Sequence, residues 1–310
     1  MRVSVVIPTY KRPQSLARCL DALDRQQRPA EETIVVARGD DLDSQELVRS
    51  RGDRVRLVEV HRAGVVAAMN AGIDASSGDV VALTDDDAAP HPDWLARLVE
   101  VYERDPPVAA VGGRDRLQIA GEWWNGGSAT VVGTIGRLGL ITGNHHMGVG
   151  PARDVDVLKG VNLSVRGDLL RELRIDERLR GVGTEHHWEL ALCLSLRRRR
   201  LRVVYDPAIV VDHHPQPRID DSRQFNPLEL RDSAHNKTLA VLEHLPASRR
   251  GLYLAWAFAV GTGTEPGLAQ LLRALARRRG GAFSRFRGTQ TGVILAVRTR
   301  RRSRGAGQVI

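Results

Sequence analysis

The sequence predicts an α/β fold: a mixed, mostly parallel sheet flanked by helices, with a helical C-terminal appendage. Three observations carry that expectation. Short apolar runs alternate with amphipathic stretches from the first residues to Val111. From Pro227 onward the pattern becomes helical and increasingly basic. A hydrophobic content of 42% over 310 residues is enough for a substantial core.

The elements follow in order. Val3 to Ile7 is a continuous apolar run, as expected of a strand buried on both faces. Pro13 stands near the start of a helix that places Leu16, Leu20 and Leu23 on one side. Thr33–Val36 and Val55–Val60 read as the second and third strands, Gly64–Ala75 as a helix and Asp79–Leu83 as the fourth strand. A helix from Pro92 to Arg104 and a strand at Val108–Val111 complete the alternation. Strands separated by helices imply parallel neighbours joined by crossovers. Residues 121–150 hold nine glycines and read as a functional loop. Regular structure resumes at Val155–Val165, with a helix over Glu185–Arg199 and strands at Arg202–Tyr205 and Ala208–Val211. The expected division is a catalytic domain over residues 1–225 and a helical, basic appendage over 226–310, loose at its end.

Charge separates the same two parts. The chain carries +9, yet eleven arginines and no acid follow Glu265, which leaves −2 for residues 1–265. A tail of that kind suits anionic lipid head groups or nucleic acid phosphates. With aromatics at 4%, and Phe283 and Phe286 alone in the tail, a base-stacking surface is disfavoured and an anionic membrane surface is the partner expected. The two cysteines, Cys19 and Cys193, lie in apolar helical stretches and read as buried thiols. No uncharged apolar run reaches the roughly 20 residues of a membrane span, and the opening strand has no leader-like core, so a cytoplasmic or peripheral membrane location is expected.

Ligands of such sheets bind at the carboxyl ends of strands. Three stretches fall there: Pro8-Thr9-Tyr10, Ala37 to Asp41, and Thr84-Asp85-Asp86-Asp87. Three adjacent carboxylates repel one another unless a cation or strong donors compensate. Hard divalent ions, Mg²⁺ or Mn²⁺, prefer carboxylate and phosphate oxygens, and an ion held here could bridge to a diphosphate. For the triplet by itself, a helix cap with two solvated neighbours is the stronger reading.

The surrounding words change that balance. Val3-Ser-Val-Val-Ile-Pro-Thr-Tyr10 with Arg12-Pro13, Asn70-Ala-Gly-Ile73, Gly78-Asp79 and Leu83-Thr-Asp-Asp-Asp-Ala88 resemble, in order and spacing, family 2 glycosyltransferases of the GT-A fold. Gly160-Val-Asn162, Asp176-Glu177-Arg178-Leu179 and Asp206-Pro207 followed by His213 resemble the family's later segments. The resemblance covers residues 1–215. It implies inverting, metal-dependent transfer from a nucleotide-sugar to an acceptor hydroxyl, in polysaccharide, cell-envelope or glycoconjugate synthesis, the acceptor being lipid-linked or a polysaccharide. It implies a metal held by Asp85, Asp87 and His213, with His214 as the alternate register. It places Pro8, Thr9, Tyr10, Asn70, Asp85 and Asp86 on the donor, and Gly160, Asn162 and Trp188 on the acceptor side. The Gly121–Gly150 loop would shape the acceptor site and close over the donor.

Two departures stand out. Where relatives end the second strand in aspartates that contact the base, this chain has Ala37-Arg38-Gly39, with Asp40 displaced. Arg38 cannot accept a hydrogen bond from a base; either it approaches the diphosphate instead, or Asp40 takes over base recognition. The family's Glu-Asp pair aligns with Trp188-Glu189, which makes Glu189 the expected base and Glu185 its rival, both on one helical face. His186 and His187 would be polar neighbours. Competing readings are a sugar-nucleotide pyrophosphorylase, which would open with a glycine-rich phosphate loop that Pro8-Thr9-Tyr10-Lys11-Arg12 does not supply, a basic nucleic-acid-binding protein, and an inactive binding module.

Overall fold

The computed structural model describes residues 1–119, 121–181, 183–215 and 226–306, with side chains described through Ser303. The boundary expected at 225/226 abuts residues 216–225, which lie outside the described residues.

The strands are β1 (Val3–Thr9), β2 (Glu32–Arg38), β3 (Val55–Val60), β4 (Val80–Leu83), β5 (Ala88–Pro90) and β6 (Val108–Ile119). The loop region adds the two-residue strands β7 (Glu122–Trp123), β8 (Thr134–Ile135), β9 (Ile141–Thr142) and β10 (Arg153–Asp154), and β11 (Leu163–Arg166) and β12 (Arg202–His213) follow. The helices are α1 (Pro13–Asp24), α2 (Leu42–Ser50), α3 (Val65–Ala75), α4 (Trp94–Arg104), α5 (Gly167–Leu173) and α6 (Trp188–Arg198), then α7 (Pro227–His244), α8 (Ala247–Ala259), α9 (Leu268–Ala276) and α10 (Ala282–Ala306).

One ten-stranded sheet runs β10-β12-β6-β11-β4-β1-β2-β3, with β5 on β12 and β7 on β6. The pairs β4/β1, β1/β2, β2/β3 and β6/β12 are parallel, whereas β11 is antiparallel to both neighbours. The mixed sheet expected from the sequence is therefore present. Side chains along β1 alternate between two cores: Val6 joins Val36, Met69 and Ile73 under α3, while Val3, Val5 and Ile7 join Leu16, Leu20 and Leu98 under α1 and α4. Each fully buried leucine contributes roughly 1.5–3 kcal/mol.

Four elements differ from the sequence reading. Helix α2 was not foreseen; Asp41 caps it by accepting from the Ser44 N–H, and Gln45 and Val48 face inward. The expected strands at 202–205 and 208–211 form one strand, bulged between Asp206 and Val210. Helix α6 begins at Trp188, not Glu185, because His187 adopts a left-handed conformation (φ 70°). Residues 282–306 are not loose: they form α10, a 25-residue helix whose Thr289, Val293 and Ala296 are buried. It approaches α7 so closely that a Cβ at Gly292 would lie 2.2 Å from the Arg231 carbonyl oxygen.

Candidate active site

The acidic triplet follows β4, and its members separate at once. Asp86 is fully buried and turns inward. It accepts from Thr9 Oγ1 (2.7 Å) and Arg12 Nε (3.1 Å), and Arg12 Nη2 stands 2.5 Å from its other oxygen. Arg12 also donates through Nη1 to Asp87 (3.0 Å). Burial and the neighbouring Asp87 and Asp85 push the Asp86 carboxyl up to about 7, against the pull of Arg12 and Thr9. One arginine thus supplies the strong donors that crowded carboxylates require. Its place in the Lys11-Arg12-Pro13 word was visible in the sequence; its role across the sheet was not.

Asp85 and Asp87 face a cavity of about 470 Å³. Among the described residues they meet His213, the three offering one ligand atom each within 4.8 Å of one another. The fold supplies this meeting through β5, which pairs antiparallel with β12 and sets His213 opposite Ala88. His213 Nε2 lies 3.4 Å from Asp87 Oδ1. Its neighbour His214 turns to Gln118 (2.6 Å), stands beside Trp123 and is not part of that group of three. Burial alone would lower the His213 pKa; Asp115 and Asp87 outweigh it and hold the imidazolium up to about 9. Asp115 is itself buried and ion-paired to Lys159, a cavity residue the sequence reading overlooked. Two carboxylates and one imidazole facing a polar cavity fit a divalent ion of the Mg²⁺–Mn²⁺ class. The buried acids and the raised imidazole are the observation behind that fit, because positive charge is what this cluster holds.

Glu189, on the first turn of α6, belongs to the wall of the same cavity. Burial raises its carboxyl above the usual range. It also walls a second cavity of about 420 Å³, shared with Leu140, Ile141 and Gly143 of the glycine-rich loop, with Ser233 and Lys237 of α7, and with Glu265 of the loop between α8 and α9. Glu185 sits differently. It precedes the helix, so the two glutamates do not share a helical face. Its carboxylate accepts from the Val65 (2.7 Å) and Val66 (3.3 Å) N–H groups and caps α3. Gly64 makes this approach available: a Cβ there would fall 2.0 Å from Glu185 Oε1. His187 is pushed down to about 3 by burial and the nearby Lys237 and bonds Ser233, while His186 contacts Glu229 (3.0 Å).

Several predicted residues lie elsewhere. Asn70 is buried and binds both the N–H and C=O of Ile175, anchoring the segment that leads into Asp176-Glu177-Arg178-Leu179. Asn162 is fully buried, accepts from Trp94 Nε1 and donates to Arg114 and Ile209 carbonyls. With both amide ends so engaged, Asn70 and Asn162 serve the scaffold and do not wall the cavity; Asp86 joins them. Gly160 and Trp188 do wall it, and Gly160 lets the indole pack against the backbone, since a Cβ would lie 2.4 Å from the ring. At the ends of β1 and β2, the Arg38 guanidinium stacks 4.1 Å from the Tyr10 ring centre and forks onto Asp40 (2.9 and 2.7 Å). Tyr10 also donates to Asp40 (3.1 Å). Pro8 and Thr9 carry the strand into this cluster, Thr9 pointing to Asp86.

The profile of glycosyl transferase family 2 matches residues 4–153. Glycosyltransferase AglE of Haloferax volcanii is 32% identical over 192 residues, which cover 60% of this chain and 59% of that protein. A pre-mycofactocin glycosyltransferase of Mycobacterium tuberculosis is 27% identical over 96% of this chain and 61% of its own length. The chain thus spans about three fifths of each of these curated relatives. Among solved structures, the mannosyltransferase PcManGT of Pyrobaculum calidifontis, in complex with GDP-Man and Mn²⁺, superposes with a TM-score of 0.59 at 20% identity, over 96% of this chain and 84% of that one. The mixed sheet, the acidic end of β4 and this profile agree: residues 4–153 resemble glycosyl transferase family 2, and the chain has the GT-A fold.

Proposed function

We propose that the protein transfers a glycosyl group, with inversion, from a nucleoside diphosphate sugar to an acceptor hydroxyl. One observation carries the reading: Asp85, Asp87 and His213 converge on a cavity whose other wall presents Glu189. Mg²⁺ or Mn²⁺ held by those three residues would supply positive charge to a diphosphate leaving group. Lys159, on the same wall, adds a cation to that side. Tyr10, Arg38 and Asp40 form the candidate nucleoside contact, with Arg38 committed to Asp40 until a donor arrives. Glu189 then takes the proton of the acceptor hydroxyl as its oxygen bonds the sugar carbon, while the bond to the diphosphate oxygen breaks and that oxygen keeps the electron pair. A carboxyl raised by burial is a better base for that purpose than a solvated one. The acceptor belongs in the second cavity, which is why the C-terminal helices count as part of the catalytic unit; a lipid-linked or polysaccharide hydroxyl is the proposed class. Action at the cytoplasmic face of a membrane goes with it, and no described helix is long and apolar enough to cross a bilayer.

A panel of UDP-, GDP-, dTDP- and CDP-sugars with Mn²⁺, read by thermal shift and slow donor hydrolysis, tests the reading without knowledge of the acceptor. At least one donor should raise the melting temperature only when metal is present; if none does, the reading fails. Glu189→Gln should keep that shift and lose about 10²–10⁴-fold in turnover. A loss below about tenfold would remove Glu189 as the base.

A further inference from the structure

Helix α9 and its flanks present a surface that the proposed chemistry does not use. Leu268, Leu272 and Leu275 recur at i, i+4 and i+7, so they share one face of α9. That face points outward: the three are 41%, 58% and 52% exposed, while Leu271 is buried on the inner side. Phe258 at the end of α8 is 55% exposed and lies 6.3 Å, ring to ring, from Phe286 of α10. The backbone joins these parts, because the Gly267 N–H, just before α9, donates to the Val260 carbonyl just after α8 (3.2 Å). Phe283, on the first turn of α10, is 65% exposed. Across α9 from these leucines lies a cleft of about 570 Å³, lined by Leu271 and by Arg273, Arg277, Arg279 and Arg285, with no acid in its lining.

We propose that this face docks on an anionic lipid bilayer, the leucines and phenylalanines entering the headgroup boundary while the arginines hold lipid phosphates. Exposed leucines on one face of α9 and arginines on its opposite, polar face match the two components of a helix lying in the bilayer interface, apolar insertion and attraction to anionic lipid. A nucleic acid would use the arginines but leave the leucines in water. The long basic end of α10 is a separate matter, because its later arginines lie up to 25 residues along a rigid helix from Ala282. The loop 262–266 links the docking face to the site: Gly263 and Pro266 wall the arginine cleft, whereas Thr262, Thr264 and Glu265 wall the second cavity beside Glu189. On the reading proposed above, docking therefore sets the acceptor cavity at the headgroups, and the acceptor is a membrane-anchored hydroxyl.

Sedimentation of the full chain with phosphatidylcholine vesicles, with and without 30% phosphatidylglycerol, tests the docking by itself and needs no turnover. Anionic vesicles should bind at least about tenfold more tightly than neutral ones, and inorganic phosphate in the millimolar range should not abolish binding. Leu272→Ser with Leu275→Ser and Phe283→Ser, and separately Arg273→Gln with Arg277→Gln and Arg279→Gln, should each weaken binding by about tenfold or more. All six positions are exposed or line an open cleft, and unchanged melting temperatures would show that both variants fold. Equal binding of wild type and the apolar variant overturns the insertion; equal binding to neutral and anionic vesicles overturns the arginine contact. A wild type that is dimeric in solution, with a monomeric apolar variant, would show that a second copy covers this face, and the proposal would fall. Failure here leaves the donor panel untouched, so the two readings fail separately.

Discussion

The cavity has two walls of different construction. The sheet wall carries Asp85, Asp87, Lys159 and His213, and three of the four are pinned by register or ion pairing: His213 by its place opposite Ala88, Lys159 by Asp115, and Asp87 by Arg12. The helical wall carries Glu189 on α6 and Glu229 and Asp232 on α7, where burial does more than pairing to set the acidity of Glu189. The contrast teaches how one cavity can hold carboxylates in two states of readiness. The acids of the sheet wall lie beside cations, with Asp87 against Arg12, and their clustering suits a metal. An acid in an apolar wall has a raised pKa and suits proton transfer.

The contrast can be broken most severely at Arg12. Arg12→Ala strands Asp86 in the core, and the expected cost is roughly 3–5 kcal/mol at neutral pH. The sign with pH follows from the raised carboxyl. With a folded-state pKa of about 7, the wild-type carboxyl ionises only above that pH and with Arg12 to hold its charge, so the deficit should grow as pH rises through about 7 and stay flat below it. Melting curves at pH 5 and pH 8 check this; a deficit larger at pH 5 would refute it. Asp87→Asn comes next. It should cost on the order of 10²–10³-fold in metal-dependent turnover, with the fold intact by circular dichroism.

A smaller effect sharpens the sheet wall. Because His213 is held protonated up to about 9, a cation that binds through it must displace that proton. Mn²⁺ affinity should therefore rise with pH from 6 to 8, by up to about tenfold per unit, and calorimetry in two buffers should report about one proton released. The smallest effect separates the two glutamates. Glu185→Ala removes the α3 cap and should cost about 0.5–2 kcal/mol in stability while turnover changes little. If it instead lowers turnover as far as Glu189→Gln does, the base is Glu185.

Much of the first half could be read in the chain itself. β1, α1, β3, α3 and β4 fall within one or two residues of their expected bounds, because each buries a periodic apolar face whose spacing is local. The acidic triplet at a strand end was legible for the same reason. Helix α2 was hidden because an Asp-rich start reads equally well as a loop. Asn70 and Asn162 drew attention as site residues, yet each satisfies buried backbone groups far away in sequence.

Sequence alone determined the alternation of strands and helices, the acidic end of β4 and the excess of arginine after Glu265. Those follow from neighbours along the chain, where period and charge are fixed once the residues are. Only the tertiary structure decided that Asp86 turns to Arg12 while Asp87 turns to His213. It also decided that Glu185 lines the cavity while capping α3, that Glu189 lines it from the first turn of α6, and that the leucines of α9 remain exposed. Each of those outcomes depends on which groups arrive from distant strands and helices to satisfy a buried charge or cover an apolar face, and no local pattern specifies that partner.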